Sequence, residues 1–413
     1  MTIPAIKMPA HVAMIINILE SNGYEAFAVG GCVRDAIMGR TPHDWDITTS
    51  AKPEEIKALF HRTIDTGIKH GTITVMISGV GYEVTTYRID GEYTDGRHPN
   101  EVTFTNNLIE DLKRRDFTIN AMAYNDRAGI VDAFDGIADI ENKTIRCVRV
   151  ATERFAEDAL RILRALRFSA QLDFSISEDT CEAIKSLAAN LKLISKERIQ
   201  TELDKLITSN NPDRIGLIAK YNLGSFIFED ASSLTKDSDT FTKIISVMNL
   251  LPADHYLRWS ALMLFENDPG HVLKKLKFDN KTIDISSRLI KAINFPIPNS
   301  KTKLRHMIVK FGKDLFDSYL FTFIDAVSHA GFYTAGTAAE IVHLKSMYDE
   351  IVSAGDCLSV KDMAITGKDL ISEGFEPGKT LGEIINYLFD LVLNDPSLND
   401  YETLLTFAKN YRN

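Results

Sequence analysis

The hydrophobic pattern of this 413-residue chain changes period once, near residue 140, and that change limits the folds open to it. Before it, strand-like and helix-like runs alternate. Phe27, Ala28 and Val29 form a short apolar run that ends in Gly30-Gly31, the pattern of a strand and a tight turn. Residues 72–78 (TITVMIS) and 82–88 (YEVTTYR) are rich in β-branched and aromatic side chains, and Gly79-Val80-Gly81 between them predicts a hairpin. Residues 54–60 read as a short helix. After residue 140 strand signals nearly vanish. Residues 153–168 carry Ala159, Ile162, Leu163 and Leu166 at helical spacing, and Ser195 is placed to cap a helix that runs through Leu206. Further helices follow, broken at Asn210-Asn211-Pro212, Asn294-Phe295-Pro296 and Asp395-Pro396. The fold class is therefore α+β, a mixed head followed by a long all-α arm. The expected divisions are 1–140, 141–205, 206–335 and 336–413.

The chemistry concentrates in residues 28–49, AVGGCVRDAIMGRTPHDWDITT. Asp44 and Asp46 stand two apart and lead into β-prone Ile47-Thr48-Thr49. In an extended segment both carboxylates share one face, while Trp45 and Ile47 take the other. Adjacent carboxylates repel, so holding both ionised calls for a cation, and hard oxygen donors suit Mg²⁺. Glu83, in YEVTTYR, is the candidate third carboxylate of a two-metal site. Gly30-Gly31 precedes a helix expected from Val33, so backbone N–H groups there can approach a phosphate closely. Arg34, in the first helical turn, does nothing for the helix dipole, and a phosphate contact explains it.

The formal net charge of −10 argues against nucleic-acid binding as a sum, but its distribution does not. Lys143, Arg146, Arg149, Arg154, Arg161, Arg164 and Arg167 face only Glu153, Glu157 and Asp158 over the same stretch. Lys301, Lys303, Arg305, Lys310 and Lys313 make a second basic cluster. Each cluster is either a lane for phosphates or a solvated helix face. Four scattered cysteines without metal-ligand spacing predict a reduced, cytosolic protein. No apolar stretch approaches ~18 residues, and the N-terminus has no signal-peptide pattern.

GGCVRD followed by GRTPHDWDITT resembles the signature of the class II tRNA nucleotidyltransferase and bacterial poly(A) polymerase family, within the DNA polymerase β-like superfamily. Residues 114–124 (RRDFTINAMAY) resemble its second motif, and residues 132–146 its head-to-neck strip. Residues 157–168 (EDALRILRALRF) resemble its nucleotide-selecting helix, and residues 195–203 (SKERIQTEL) the helix that braces it. The resemblance implies a seahorse-like series of head, neck, body and tail, and Mg²⁺-dependent addition of CCA to the 3′ end of tRNA from CTP and ATP. Asp44 and Asp46 would hold the metal, with Glu83 beside them as a catalytic carboxylate. Gly30, Gly31, Arg34 and Arg115 would meet the nucleotide, and Asp116, Asn120, Glu157, Glu197 and Arg198 would support the site.

Asp158 and Arg161, three apart on that helix, match the family's base-reading positions. A carboxylate accepts from the exocyclic amino group that cytosine and adenine share, and a guanidinium donates to their ring-nitrogen acceptors. Arg164 and Arg167 follow, as nucleotide contacts or as helix solvation. The alternatives are a poly(A), A-only or CC-only polymerase, or an inactive RNA-binding relative. Residues 90–102 (DGEYTDGRHPNEV) resemble an intact version of the family's flexible loop, which favours full CCA addition. Residues 365–385 and 394–405 resemble the tail of bacterial CCA-adding enzymes, which implies a grip on tRNA. One departure stands in the neck: Arg149-Val150-Ala151-Thr152 replaces the Gly-Asp-Pro common among relatives. Gly374 to Thr380 is one residue short of a P-loop and lacks a preceding strand. His43-Asp44 lacks the further ligands of a phosphohydrolase. Neither a protein partner nor a membrane is expected.

Overall fold

A computed structural model describes residues 5–91, 102–228, 234, 238–332 and 336–411. Most of the 90–102 loop lies outside these residues. The described chain forms two compact units, Met1–Thr242 with Lys275–Lys277, and Lys243–Lys274 with Phe278–Asn413.

The first unit opens with α1 (Ala10–Ser21), β1 (Ala26–Val29), α2 (Gly31–Ile37), β2 (Ile47–Thr49) and α3 (Pro53–Leu59). Strands β3 (Thr63–Gly67), β4 (Thr72–Ile77) and β5 (Val80–Thr86) follow, then a short hairpin of β6 (Arg88–Asp90) and β7 (Val102–Phe104), helix α4 (Leu108–Lys113), and β8 (Met122–Asn125) with β9 (Gly129–Asp132). Seven strands form one sheet in the order β3-β4-β5-β2-β1-β8-β9. Its one parallel pairing is β2 with β5, in register Ile47 to Val84. The β4–β5 turn is tighter than the three glycine-flanked residues predict: Ser78 (φ 51°) and Gly79 (φ 85°) alone make it, the left-handed pair that matches strand twist. All four β1 residues are buried. Phe27 and Val29 pack with Leu108, Leu112, Ala121 and Ala123, an apolar layer that fixes the end of β1 where the glycine turn begins.

Beyond the sheet come α5 (Gly136–Glu141), the two-residue strands β10 (Thr144–Ile145) and β11 (Ser175–Ile176), and α6 (Ala151–Glu157), α7 (Leu160–Leu172), α8 (Glu178–Leu187) and α9 (Lys196–Ile207). Two expectations are corrected here. The helix after Gly30 starts at Gly31, not Val33. Residues 153–168 are not one helix. The backbone of Asp158 is extended (φ −145°, ψ 102°), and its carboxylate accepts the Leu160 N–H at 3.0 Å. This local bond competes with helix continuation, and α7 restarts behind it. Ser195 occupies the N-cap position of α9, but its hydroxyl makes no capping bond.

The second unit is helical among its described residues, with Asn280–Ile293, Lys301–Phe311, Ala338–Ser353, Lys379–Asn394 and Tyr401–Tyr411 among its longer helices. Helices end at Ile293 and Asn394, where the Pro-containing breaks were expected. A local core gathers Leu370, Phe375, Leu388, Phe389, Val392 and Leu404. Residues 374–380 join two helices, Gly367–Ser372 and Lys379–Asn394, so a helix and not a strand precedes them. The 301–313 basic cluster is largely paired: Lys301 with Glu350 at 2.6 Å, Arg305 with Asp356 at 2.6 Å, and Lys313 with Asp317 at 2.7 Å. All four cysteines are free thiols, and no described helix is long and apolar enough to cross a membrane.

Candidate active site

Asp44 and Asp46 lie in the extended segment that enters β2, before the strand proper. Burial alternates along it: Asp44 and Asp46 are exposed, while Trp45 and Ile47 are buried. Both carboxylates therefore share one face. The Val29 N–H donates to the Asp46 carbonyl at 2.9 Å, which ties this segment to the end of β1. Parallel pairing of Ile47 with Val84 sets Glu83 one register position back, beside Asp46. Asp44, Asp46 and Glu83 line one recess of about 630 Å³.

The electrostatics record their crowding. Desolvation by the surrounding protein and the charge of Asp44 raise the pKa of Asp46, against the pull of Arg115. Desolvation, then Asp46 and Asp44, raise that of Glu83. Among the described residues no three His, Cys, Asp or Glu side chains converge closely enough to enclose an ion. What the recess offers is an open face of hard, mutually repelling oxygen donors. That face fits a divalent cation whose remaining ligands come from a substrate, the usual state of protein-bound Mg²⁺.

Gly30 ends β1 with φ 85°, and its N–H donates to the Met122 carbonyl at 3.1 Å. A β-carbon at Gly30 would come within 3.1 Å of the Arg115 guanidinium. Glycine is thus required for the left-handed backbone, and its bare α-carbon leaves room for the arginine lying over the turn. The charge of Arg115 also reaches Asp46, where it works against the upward shift of that carboxyl. Gly31 opens α2 behind it. Arg34 is turned inward: it donates to the Asn120 side-chain oxygen at 2.6 Å and to Asp35 at 2.9 Å.

A second recess, about 250 Å³, is lined by Arg114, Arg115, Asp116, Asp158, Leu160, Arg161, Arg164 and Arg198. Its five guanidiniums and two carboxylates suit a ligand that is both planar and anionic. Arg198, from α9, clasps Asp158 with contacts of 2.7 and 3.3 Å. Arg161 donates to Glu157 at 2.7 Å and to the carbonyls of Arg154 and Arg114 at 3.2 Å each. Glu157 in turn binds Arg154. Arg164 donates to Asp116 at 2.7 Å, and Asn120 donates to the other Asp116 oxygen at 3.3 Å.

The structure separates two arginines that look alike in sequence. The Arg164 side chain is 34% exposed and lines the recess. That of Arg167 is 10% exposed and turns to Glu202 at 2.5 Å and Gln171 at 2.8 Å. Glu197 is exposed on the first turn of α9 and takes no part in this cluster; Glu202 is the acid that does. Two residues escaped sequence reasoning. Glu202 lies 35 positions from Arg167, and no local signal joins them. Asp111, fully buried, accepts from Arg114 at 2.9 Å, Arg115 at 3.5 Å and the Thr48 hydroxyl at 3.2 Å, linking the carboxylate strand to the arginines. Its i,i+3 and i,i+4 spacing to Arg114 and Arg115 was the available signal.

Asp116 carries a pH prediction. Burial works to raise its pKa, but Arg164 and Arg161 hold it down at about 2, from 3.8. A depressed folded-state pKa stabilises the fold above the unfolded value, and that stability disappears as pH falls from about 4 to about 2. The expected loss is roughly 2 kcal/mol, at 1.36 kcal/mol per pKa unit. Denaturation midpoints from pH 6 to 2 should therefore converge for wild type and Asp116→Asn at the acid end. A constant gap across that range would remove the assignment.

Sequence comparison places these features among known proteins. The profile of the poly(A) polymerase head domain matches residues 26–146, and that of tRNA nucleotidyltransferase domain 2 matches residues 252–408. A CCA-adding enzyme of Leuconostoc mesenteroides is 38% identical over 416 residues, covering 97% of this chain and 96% of its own. One from Enterococcus faecalis is 38% identical over 408 residues, covering 97% and 95%. Among solved structures, the Bacillus stearothermophilus CCA-adding enzyme in complex with CTP aligns with a TM-score of 0.80 at 31% identity, over 98% of both chains.

Proposed function

This chain belongs to the CCA-adding enzymes, tRNA nucleotidyltransferases with a poly(A) polymerase head domain, and on that footing we propose how its site works. It adds C, C and A to the 3′ end of tRNA, taking CTP and ATP and releasing pyrophosphate. One observation carries the reading of the site: Arg115 lies over the Gly30 turn, sets its charge against the raised pKa of Asp46, and lines the arginine-rich recess. A nucleoside triphosphate has that order of parts, with reacting phosphate, phosphate tail and base.

In this arrangement Arg115 and the N–H groups at Gly30-Gly31 bind the triphosphate, and Arg34 backs the turn from within. Asp44 and Asp46 hold Mg²⁺, with Glu83 adding negative charge beside them. The chemistry supplied by the cation when bound is charge neutralisation on the phosphates and a lowered pKa for the attacking hydroxyl. Asp158 accepts from the amino group of cytosine or adenine, and Arg161 donates to the neighbouring ring nitrogen. Each is held by a partner, Arg198 and Glu157 respectively, so neither can swing to suit a uracil or guanine edge. A rigid pair mismatched to the wrong base leaves buried polar groups unpaired, which is how hydrogen-bonding sites reject substrates. Asp116, Asn120 and Glu202 keep the arginines in place. We assign residues 1–140 to catalysis, 141–205 to base selection, 206–335 to the body and 336–413 to gripping tRNA, and we place the enzyme in the cytoplasm.

The test is to sequence the product formed on a tRNA that ends at its discriminator base. CTP and ATP together should give CCA, CTP alone should give CC, and UTP or GTP should give nothing. A product of adenosines only, or arrest at CC with both triphosphates present, would replace CCA addition with one of the narrower activities.

A further inference from the structure

The ring of Phe168 on α7 is shared by three arginines. The guanidinium carbons of Arg34, Arg164 and Arg167 lie 5.3, 5.5 and 3.9 Å from its centroid. Arg34 comes from α2 behind the glycine turn, whereas Arg164 lines the base-side recess. The same three cations are tied by acids and an amide around the ring. Arg34 meets Asp35 and Asn120, Asn120 meets Asp116, Asp116 meets Arg164, and Glu202 meets Arg167. Three like charges around one point repel. Pairing with Asp35, Asp116 and Glu202 offsets the charge, but carboxylates at the rim do not separate the guanidiniums at the centre. An aromatic ring does, because its faces attract cations while its bulk keeps them apart. Phe168 is itself fixed: it is 6% exposed and meets Phe117 edge to face, with centroids 5.8 Å apart.

Resting on the nucleotide-binding reading above, we infer that Phe168 is a positioning residue for the incoming nucleotide. Its ring sets the distance between the arginine behind the phosphate turn and the arginine beside the base. A side chain of similar bulk without a π face fills the space but attracts neither guanidinium, and both relax towards their acids. The two halves of the site then no longer match one triphosphate. Asp158 and Arg161 are held by their own partners, Arg198 and Glu157, so the choice between bases is untouched.

Equilibrium binding of CTP and of ATP to the full chain, together with steady-state addition to tRNA lacking CCA, tests this in wild type and in Phe168→Leu, Phe168→Met and Phe168→Tyr. The Leu and Met variants should bind both nucleotides on the order of ten-fold more weakly, the scale of a desolvated cation–π contact. KM for each nucleotide should rise with little change in kcat, and the preference for CTP over UTP should remain. Phe168→Tyr, which keeps the ring face, should lie within about two-fold of wild type on the same scale. Melting temperature is followed in parallel, because a purely structural Phe168 would lower it in Leu and Met without moving nucleotide affinity. That outcome, or a Tyr variant as weak as Leu, overturns the proposal. Wild type that binds neither CTP nor ATP would instead overturn the underlying functional reading.

Discussion

Replacing Asp46 by Ala is expected to lower nucleotide addition by at least about three orders of magnitude, the scale set by losing charge stabilisation at a developing transition state. Asp44→Ala should do the same. The fold should not suffer. Neither residue belongs to the buried core, and enclosure of the Asp46 carboxyl in the recess, with the charge of Asp44, raises its pKa, so its ionised form opposes folding at neutral pH. Asp46→Ala should therefore melt no lower than wild type. Single-turnover incorporation of labelled CTP, measured beside a melting curve, separates the two effects. Incorporation near the wild-type rate would end the assignment of the metal-holding pair, and a marked fall in melting temperature would show that Asp46 has a structural duty.

Asp158→Ala is the second large effect. The ratio of kcat/KM for CTP over UTP, and for ATP over GTP, should fall about 10- to 100-fold, the cost of a hydrogen bond to a charged group. The mechanism runs through Arg198 as well. Without its carboxylate partner, Arg198 adds an unpaired cation to a recess that already holds four other guanidiniums. Binding of any triphosphate should thus weaken less than discrimination does, since added positive charge favours phosphate. Arg198→Ala should shift discrimination in the same direction by a smaller amount, because it frees Asp158 without removing it. Ratios that stay at their wild-type values in Asp158→Ala would show that the base is chosen elsewhere.

The same helix shows where sequence patterns stop being informative. Apolar spacing identified Ile162, Leu163 and Leu166 as the packed stripe, and all three are buried. The pattern continued smoothly through Asp158, where the chain in fact leaves the helix. A periodicity reports which face is buried, not whether one residue prefers a side-chain bond to its own backbone. Likewise the spacing of Arg161, Arg164 and Arg167 placed them on related faces. It could not say that Arg164 lines the recess while Arg167 turns away to Glu202.

The sequence by itself determined what depends on neighbours along the chain. Alternation put Asp44 and Asp46 on one side of an extended segment, two glycines marked the end of β1, and the change of period near residue 140 divided sheet from helices. These follow from backbone geometry, which repeats every two residues in strands and every 3.6 in helices. Tertiary structure alone decided the partners. Arg34 meets Asn120 across 86 residues, Arg164 meets Asp116 across 48, and Arg198 meets Asp158 across 40. No periodicity spans such distances. A buried guanidinium takes whichever carboxylate the packed elements bring within reach, and only the folded chain makes that choice.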